Sequence, residues 1–555
     1  MASTRRHAWV APTDQNHPSP GDLGARVAAI LAGAVALAVG LLVIGVGFVW
    51  AIAAIAVLAV VVVLANRAGR SRPAIAPLVS QRLVESADPL RALRDQSVAA
   101  GGGAFLGFSG GAWVGAEPED AVMVIGPPRS GKTSEVVIPA LLACPGAAVS
   151  TSTKPDVLGA TLRARQAAGE VWLFDPTGQA GDGHEGVRLL SWSPVAAAGS
   201  WDEALLMARA MTLAAPSLGK GTQHEAHWSE RAGALLAPLL FAASHQGETI
   251  TTVLRWVLRG DLDAPARILE RAEAVVACDV LLGIARTDER ERSSIFSAAA
   301  GVLALYNSDA ARHAARRPNF DPDEFVASTD TVFITAPAHR QALCAPLVVG
   351  LLEQIRHATY RRALTGGGVV PVFFCLDEVA NIAPIHDLPA LISEAGGQGL
   401  HVLACLQDLS QARTRWGEAA ADGFLSLFQT KLVLGGVSDP RTLEAISVVL
   451  GEYDRPMVSR NAGTSKSHTG WGAPTTTTDS ESLTYQTVRQ RRVPPGQIAA
   501  IRRGCGLLIR GASSTLIRTT PYYQQAPWST IAELPARPQS RYISDAEARH
   551  ARQAA

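Results

Sequence analysis

The segment Gly126-Pro127-Pro128-Arg129-Ser130-Gly131-Lys132-Thr133 decides the fold class of this chain. It follows the apolar run Ala121-Val122-Met123-Val124-Ile125, which is typical of a buried parallel strand. The apolar segment from Val136 to Ala143 comes next and predicts a helix. A glycine-rich turn between strand and helix lets backbone N–H groups and the positive helix terminus surround phosphates. The pattern G-x-x-x-x-G-K-[ST] in this setting predicts a P-loop, with a plain glycine-rich turn as the alternative.

The residue types within this loop predict how it holds ATP and Mg²⁺. Lys132 is expected to reach the β- and γ-phosphates and to assist catalysis, and the Thr133 hydroxyl is expected to ligate Mg²⁺. The candidate cofactor-binding residues are Gly126, Pro127, Pro128, Arg129, Ser130, Gly131, Lys132, Thr133 and Ser134.

A second apolar run, from Val370 to Leu376, ends in two adjacent carboxylates. At the carboxyl end of a parallel strand, Asp377 is expected to complete the Mg²⁺ site. Glu378 is then placed to orient or deprotonate the attacking water, which makes it a candidate catalytic base. The alternative is a solvated strand end.

A third predicted strand, Leu400 to Leu406, ends at Gln407. RecA-type ATPases place a polar residue at this point to sense the γ-phosphate, so Gln407 is a third candidate catalytic residue. Asp408 is the second choice for that role. A turn residue without a catalytic part is the remaining alternative.

The amino-terminal region predicts a membrane anchor. Residues 1–26 form a polar tail, and the chain carries no charge from Val27 to Ala65. A spanning helix needs about 20 residues, so the region 27–66 predicts two transmembrane helices. Arginines on both flanks place both ends in the cytoplasm, as a multi-pass protein of the inner membrane. A signal peptide and a buried core hairpin are the alternatives.

The composition excludes several classes of protein. With 48% hydrophobic and 18% charged residues, the chain is too apolar to be largely disordered. Its net charge of +1 shows no general basic excess, so any contact with nucleic acid must be local. The six cysteines include no C-x-x-C pair, which argues against a disulfide framework and a structural zinc site.

The pattern along the chain predicts an α/β core interrupted by helices. Residues 73–198 and 323–523 alternate strand and helix, which favours a RecA-like core with a parallel sheet. Residues 199–322 predict an inserted all-α domain, whose arginines are interpreted as solvated faces with i,i+4 ion pairs; a substrate-facing patch is the alternative. The polar segment 455–490 predicts a mobile loop, and 524–555 a flexible tail.

Several further motifs carry a resemblance to a known family. They are Ser152-Thr153-Lys154-Pro155-Asp156, Trp172-Leu173-Phe174-Asp175-Pro176, Asp377-Glu378-Val379-Ala380-Asn381, Arg415-Trp416-Gly417 and the run from Lys431 to Pro440. In these motifs the chain resembles the TraG/TraD-type coupling proteins of type IV secretion and conjugation, from the membrane hairpin to about Tyr523.

The resemblance implies a membrane-anchored, RecA-like ATPase that assembles as a homo-hexamer. Such a protein recruits relaxase-bound DNA, or another secreted protein, and passes it to the components of a type IV secretion channel. Two alternatives stay open, namely an ATPase that loads protein effectors and a double-strand DNA translocase of FtsK/SpoIIIE type. Many relatives carry an arginine in the turn that corresponds to 393–400. Here that turn holds Gln398 and no arginine, so the resemblance assigns no finger residue. Arg441, which follows the family-like Ser438-Asp439-Pro440, is a candidate for a trans-acting finger, and a surface arginine without a catalytic part is the alternative.

Overall fold

The computed structural model describes residues 103–532, apart from 110–111, 118, 180–184, 216–221, 367–369, 468–470, 472–475 and 512. The transmembrane hairpin predicted over 27–66 lies outside the described residues. Within the described ranges, no helix is both long enough and apolar enough to cross a membrane.

A mixed sheet organises the described part of the chain, where it has twelve strands. Eight neighbouring strands are parallel. In order across the sheet they are β10 (Thr430–Leu434), β3 (Val122–Ile125), β9 (Leu400–Leu406), β8 (Val372–Leu376), β4 (Ala148–Ser152), β7 (Thr331–Thr335), β5 (Val171–Phe174) and β6 (Val187–Leu189). An antiparallel edge continues beyond β10 with β13 (Cys505–Arg510), β14 (Ser513–Arg518), β1 (Phe105–Ser109) and β2 (Ala112–Gly115).

The parallel strands are buried on both faces, which explains why they are continuous apolar runs rather than alternating ones. In β3, Met123 and Ile125 belong to one apolar core, whereas Val122 and Val124 belong to a second core on the opposite face. The predicted parallel α/β core is confirmed by this arrangement.

Helices connect most of the successive parallel strands. In chain order they are α1 (Ile138–Ala143), α2 (Asp156–Gln166), α3 (Trp201–Ala214), α4 (Thr222–Gln246), α5 (Ile250–Arg259), α6 (Asp263–Arg271), α7 (Val275–Ala285), α8 (Glu289–Val302), α9 (Asp309–Ala314), α10 (Pro322–Ala327), α11 (Gln341–Leu364), α12 (Val379–Ile382), α13 (Leu388–Glu394), α14 (Leu409–Trp416), α15 (Glu418–Leu427), α16 (Pro440–Val449), α17 (Pro495–Ala499) and α18 (Trp528–Ala532). A π-type helical segment, Lys132–Val137, leads directly into α1.

Every described element between β6 and β7 is helical. The first of these helices begins with a capping box, in which Ser200 and Glu203 bond to each other's backbone N–H groups. Near the end of this series, α8 ends at Val302 and Ser308 caps the separate helix α9.

The prediction of a loop over 455–490 is wrong in its secondary structure. Two 16-residue strands, β11 (Glu452–Ser467) and β12 (Thr476–Arg491), pair antiparallel from Glu452 opposite Arg491 to Ser467 opposite Thr476. Both faces of this ribbon are largely exposed. A strand pair without a buried face has no alternation of apolar and polar residues, and that alternation is the signal that predicts a strand.

The prediction of a flexible tail over 524–555 is wrong for its first part. Trp528 and Ile531 of α18 are fully buried. The indole of Trp528 lies 4.9 Å from the ring of Phe105 and 4.8 Å from that of Trp113, measured between ring centroids. These aromatic contacts attach α18 to the antiparallel edge of the sheet. Residues 533–555 lie outside the described part of the chain.

The buried guanidinium of Arg165 forms hydrogen bonds with the segments that precede β4 and β7 and with β7 itself. It donates to the carbonyl oxygens of Cys144 (2.6 Å), Gly146 (2.8 Å) and Thr329 (3.0 Å), and to the hydroxyl of Thr331 (2.6 Å). Its side chain is 1% exposed, and burial lowers its pKa.

Replacing this guanidinium should destabilise the protein strongly. Arg165→Met leaves several buried acceptors without a donor, and each costs about 1–3 kcal/mol, so we expect a loss of about 3 kcal/mol or more. Arg503→Met, at an exposed position in the turn before β13, should change stability by less than about 0.5 kcal/mol. Denaturant midpoints measure both, and equal midpoints for the two variants would contradict this role for Arg165.

Candidate nucleotide-binding site

The sheet order brings the three sequence motifs to one edge. The strand β9 lies between β3 and β8, and all three are parallel, so their carboxyl ends meet. The P-loop follows β3, Asp377 follows β8, and Gln407 follows β9 between them. Gly126 N–H donates to the Leu406 carbonyl at 3.1 Å, which joins the P-loop to the end of β9. Ligands of open α/β sheets bind at this edge.

The conformation of the P-loop depends on its glycines. Gly131 has a φ of 99°, and a Cβ at this position would clash with the carboxyl group of Glu135. A Cβ at Gly126 would clash with the Ser130 hydroxyl. Arg129, at the exposed tip, is a non-glycine residue with a φ of 64°. The helix begins at Lys132, directly after the loop, so that its free N–H groups lie next to the loop.

The ammonium group of Lys132 lies within the loop. It is buried and donates to the carbonyl oxygens of Gly126 and Pro127, the second at 3.1 Å. The Ser130 hydroxyl is buried and has no hydrogen-bond partner among the described residues. Both are donors that phosphate oxygens can satisfy. Pro128 and Arg129 are exposed at the tip, and Ser134 is half-buried on the first helical turn.

A direct contact joins the two predicted metal ligands. The Thr133 hydroxyl donates to Asp377 Oδ2 at 2.8 Å, across 244 residues of sequence. Asp377 is 7% exposed, and its Oδ1 has no partner within the described ranges. Burial raises the pKa of this carboxyl, while the Thr133 hydroxyl and the charge of Lys132 lower it. A buried carboxylate with an unsatisfied oxygen beside a hydroxyl is a donor set that Mg²⁺ fits.

Glu378 lies next to this pair in a left-handed backbone conformation, with a φ of 54° and a ψ of 48°. A non-glycine residue costs about 1–3 kcal/mol in such a conformation, which therefore persists only where the surrounding structure imposes it. Glu378 directly follows Asp377, and its charge raises the pKa of Asp377, whereas the charge of Lys132 lowers it.

Gln407 lies at the tip of β9, between the P-loop and Asp377. It is half-buried, and its backbone N–H donates to Gln411 Oε1 at 2.9 Å on the first turn of α14. The sheet thus brings Lys132, Thr133, Asp377, Glu378 and Gln407 to one edge. The sequence predicted the three strands that these residues follow, but not the order of the strands in the sheet.

Two further residues at this site were not predicted from the sequence. The Thr151 hydroxyl, at the end of the adjacent strand β4, donates to the Asp377 carbonyl at 3.1 Å and holds that backbone in place. Glu135, in the helix after the loop, accepts a hydrogen bond from the Thr519 hydroxyl, and burial raises its pKa. A charged residue within an otherwise apolar helix was the available signal for Glu135.

The remaining motif residues have other surroundings. Arg441 is exposed and pairs with Glu418 at 3.2 Å. Gln398 ends a short 3₁₀ turn before β9. Lys431 is buried and donates to the carbonyl oxygens of Leu425 and Phe428, which satisfies the carboxyl end of α15. Lys431 is therefore explained by packing and backbone hydrogen bonding.

Replacing Asp377 tests the proposed metal site separately from the phosphate site. Asp377→Asn keeps the shape of the side chain but removes its charge, so we expect at least about tenfold weaker Mg²⁺-dependent ATP binding. Binding of ATP without Mg²⁺ should change little. Titration of a fluorescent ATP analogue with and without Mg²⁺ measures both affinities, and an equal loss in the two conditions would contradict the assignment.

A mostly parallel sheet with a P-loop after one strand and paired acids after another defines a P-loop NTPase of RecA-like architecture. A sequence profile described as "Type IV secretory system Conjugative DNA transfer" matches residues 81–543. The chain belongs to this family, and the resemblance to TraG/TraD-type coupling proteins is confirmed.

Two conjugal transfer proteins TraG from Escherichia coli are similar to this chain. Each is 25% identical, over 320 and 323 residues, which is 53% of this chain and 49% of each relative. The chain therefore aligns with about half the length of the TraG relatives that it matches.

Solved structures of the conjugative coupling protein TrwB share the fold. The unbound form superposes with a TM-score of 0.54 at 17% identity and covers 73% of this chain and 86% of TrwB. The complex of TrwB with ADP and Mg²⁺ gives a TM-score of 0.52 at 16% identity, with the same coverage. The complex with the ATP analogue ADPNP gives 0.53 at 17% identity and covers 73% and 87%. At this identity the likeness concerns the fold alone.

Proposed function

We propose that this chain is a coupling ATPase, which hydrolyses ATP to drive DNA toward a type IV secretion channel. The contact between Thr133 and Asp377 carries the proposal, because it joins the P-loop to the acidic strand end in the geometry of a nucleotide–Mg²⁺ site. Membership of the conjugative DNA transfer family supports the cargo and the channel. ATP hydrolysis by the full chain, with and without DNA, tests the proposal.

Each residue of the site has a distinct role in this proposal. The backbone from Gly126 to Ser134 holds the phosphates, and the Lys132 ammonium exchanges its loop carbonyls for phosphate oxygens. Thr133 and Asp377 would hold Mg²⁺, and the ion would supply positive charge that stabilises the phosphates. Glu378 orients the attacking water and accepts its proton, while Gln407 senses the γ-phosphate.

A basic groove on the helical region supports DNA as the cargo. Two adjoining cavities of about 1260 Å³ and 390 Å³ share Glu248, Thr252 and Arg255. Their walls also carry a set of basic side chains: Arg259, Arg267 and Arg271 in one cavity, and Arg312, His313, Arg316 and Arg317 in the other. We call this surface the arginine groove.

Part of this charge has no acidic partner, whereas Arg312 is paired with Asp309 in the wall of the larger cavity. Among the described residues, Arg255, Arg259, Arg267 and Arg271 form no ion pair, although the sequence favoured solvated faces with i,i+4 pairs. The nearby acids bond locally: Glu248 accepts from the Thr252 hydroxyl at 2.7 Å, and Asp261 accepts from the Ala264 N–H at 3.1 Å. A row of unpaired guanidinium groups in a groove suits a phosphodiester backbone.

Neutralising two arginines of the arginine groove should lower the affinity for DNA and make that affinity less dependent on salt. For Arg259→Gln with Arg267→Gln, two lost phosphate contacts should lower the slope of log affinity against log salt by about 1.4 on single-stranded DNA. The pair Arg286→Gln with Arg290→Gln, exposed on the helical region outside the groove, serves as the matched control. Fluorescence anisotropy over a salt series measures both. Unchanged slopes for the groove pair would favour protein effectors as the cargo.

The proposal also covers the membrane anchor, the division into domains and the oligomeric state. We infer that residues 27–66 anchor the chain in the inner membrane as two spans, with the bulk of the chain cytoplasmic. The parts 73–198 and 323–523 form the nucleotide-binding domain, and 199–322 faces the relaxase-bound DNA. Because RecA-like motors complete each site with a neighbouring subunit, the working form in this proposal is a homo-hexamer.

A further inference from the structure

A small cavity of about 250 Å³ lies beside the acidic strand end, where α11, α12 and the carboxyl ends of α3 and α14 meet. Its wall consists of five alanines, one proline and three polar side chains, which belong to Gln341, Asn381 and Arg415. The described residues that line the cavity include no acidic side chain. Pockets for drug-sized ligands have about 300–1,000 Å³, so this cavity suits a smaller group than a nucleotide.

Arg415 lines this cavity, and no acidic side chain lines it beside Arg415 among the described residues. Its Nη2 donates to the carbonyl oxygens of Leu213 (2.9 Å) and Pro384 (3.2 Å). In the described part of the chain it forms no ion pair, and its Nε and Nη1 make no hydrogen bond. Burial lowers its pKa. A partly buried positive charge that bonds only to carbonyl oxygens keeps donors available for an anion.

The amide of Gln341 provides a second unsatisfied donor. Gln341 is 6% exposed, and its Nε2 is buried with no hydrogen-bond partner among the residues described. A buried donor without an acceptor costs about 1–3 kcal/mol, so such groups usually have a partner. An acceptor in the cavity would satisfy Gln341 and Arg415 together. Asn381 adds a third side chain that can donate.

We infer that this cavity is a binding site for a small oxyanion of the inorganic phosphate type. The site is separate from the P-loop, because none of its residues belongs to the loop or to the Thr133–Asp377 pair. It is nevertheless adjacent to the proposed base: α12 begins directly after Glu378, and the Asn381 N–H donates to the Glu378 carbonyl at 2.9 Å. A bound anion would join α11, α12 and α14 and would give the buried Gln341 amide the acceptor that it lacks among the described residues.

The test is calorimetric titration of the full chain with inorganic phosphate, in a Lys132→Ala background that weakens binding at the P-loop. We expect a binding site to remain, and Arg415→Gln to weaken it at least tenfold. Absence of phosphate binding in Lys132→Ala would overturn the inference. The measurement involves no hydrolysis, so its failure would leave the proposed ATPase function intact.

Ala342 allows a second variant that keeps Arg415 and its backbone contacts. Ala342 is an exposed residue of the cavity wall on α11. In the same background, Ala342→Glu should supply a carboxylate to the cavity and weaken phosphate binding at least tenfold. Ala342→Gln is the matched neutral control and should bind phosphate within threefold of the parent. Equal affinities for Ala342→Glu and Ala342→Gln would overturn the assignment of the site to this cavity.

Discussion

Glu378→Gln is expected to bind ATP and to hydrolyse it at least about 100-fold more slowly than the wild-type protein. A positioned general base contributes about 10²–10⁴-fold to a rate, and the amide cannot accept the proton of the attacking water. Binding should persist, because the phosphate and metal contacts belong to Lys132, Thr133 and Asp377. The left-handed backbone at residue 378 is unchanged by this nearly isosteric substitution.

Release of phosphate measures the rate, and titration with a fluorescent ATP analogue measures binding. Glu324→Gln makes the same chemical change on the exposed first turn of α10 and should leave both quantities unchanged. Hydrolysis at the wild-type rate in Glu378→Gln would remove this residue from the role of base.

Lys132→Ala is expected to weaken ATP binding about 10- to 100-fold. Each hydrogen bond between a charged group and its partner is worth about 1.5–3 kcal/mol, and 1.4 kcal/mol corresponds to a factor of ten. The variant also removes the bonds to the Gly126 and Pro127 carbonyl oxygens, so the fold of the loop needs a separate check.

Thermal unfolding of Lys132→Ala provides that check, and Lys466→Ala, on the exposed ribbon, is the matched control for ATP binding. A Lys132→Ala protein that melts like the wild type but binds ATP tenfold more weakly supports the assignment. Undiminished ATP affinity would show that the phosphates bind elsewhere.

The parallel core was predictable because its strands are buried on both faces. Such strands are continuous apolar runs, and β9 extends over the same residues, Leu400–Leu406, that the sequence indicated. The position of the motif residues at strand ends was predictable, because each motif directly follows an apolar run. The order of the strands was not, since the position of β9 between β3 and β8 depends on packing between distant segments.

The elements and contacts that the sequence did not predict have two physical causes. The ribbon of β11 and β12 is exposed on both faces, so no apolar periodicity marks it. Trp528 is buried by Phe105 and Trp113, which are more than 400 positions earlier in the chain. The hydrogen bond from Thr519 to Glu135 likewise joins residues that only the folded sheet brings together. Local patterns cannot predict contacts of this range.

The most direct test of the central claim is ATP hydrolysis by the full chain in lipid, with and without DNA. The proposed coupling function predicts that DNA raises the hydrolysis rate of the wild-type protein several-fold. It predicts no such rise in Glu378→Gln. A hydrolysis rate that depends on Glu378 but does not change when single- or double-stranded DNA is added would contradict the claim that this ATPase moves DNA.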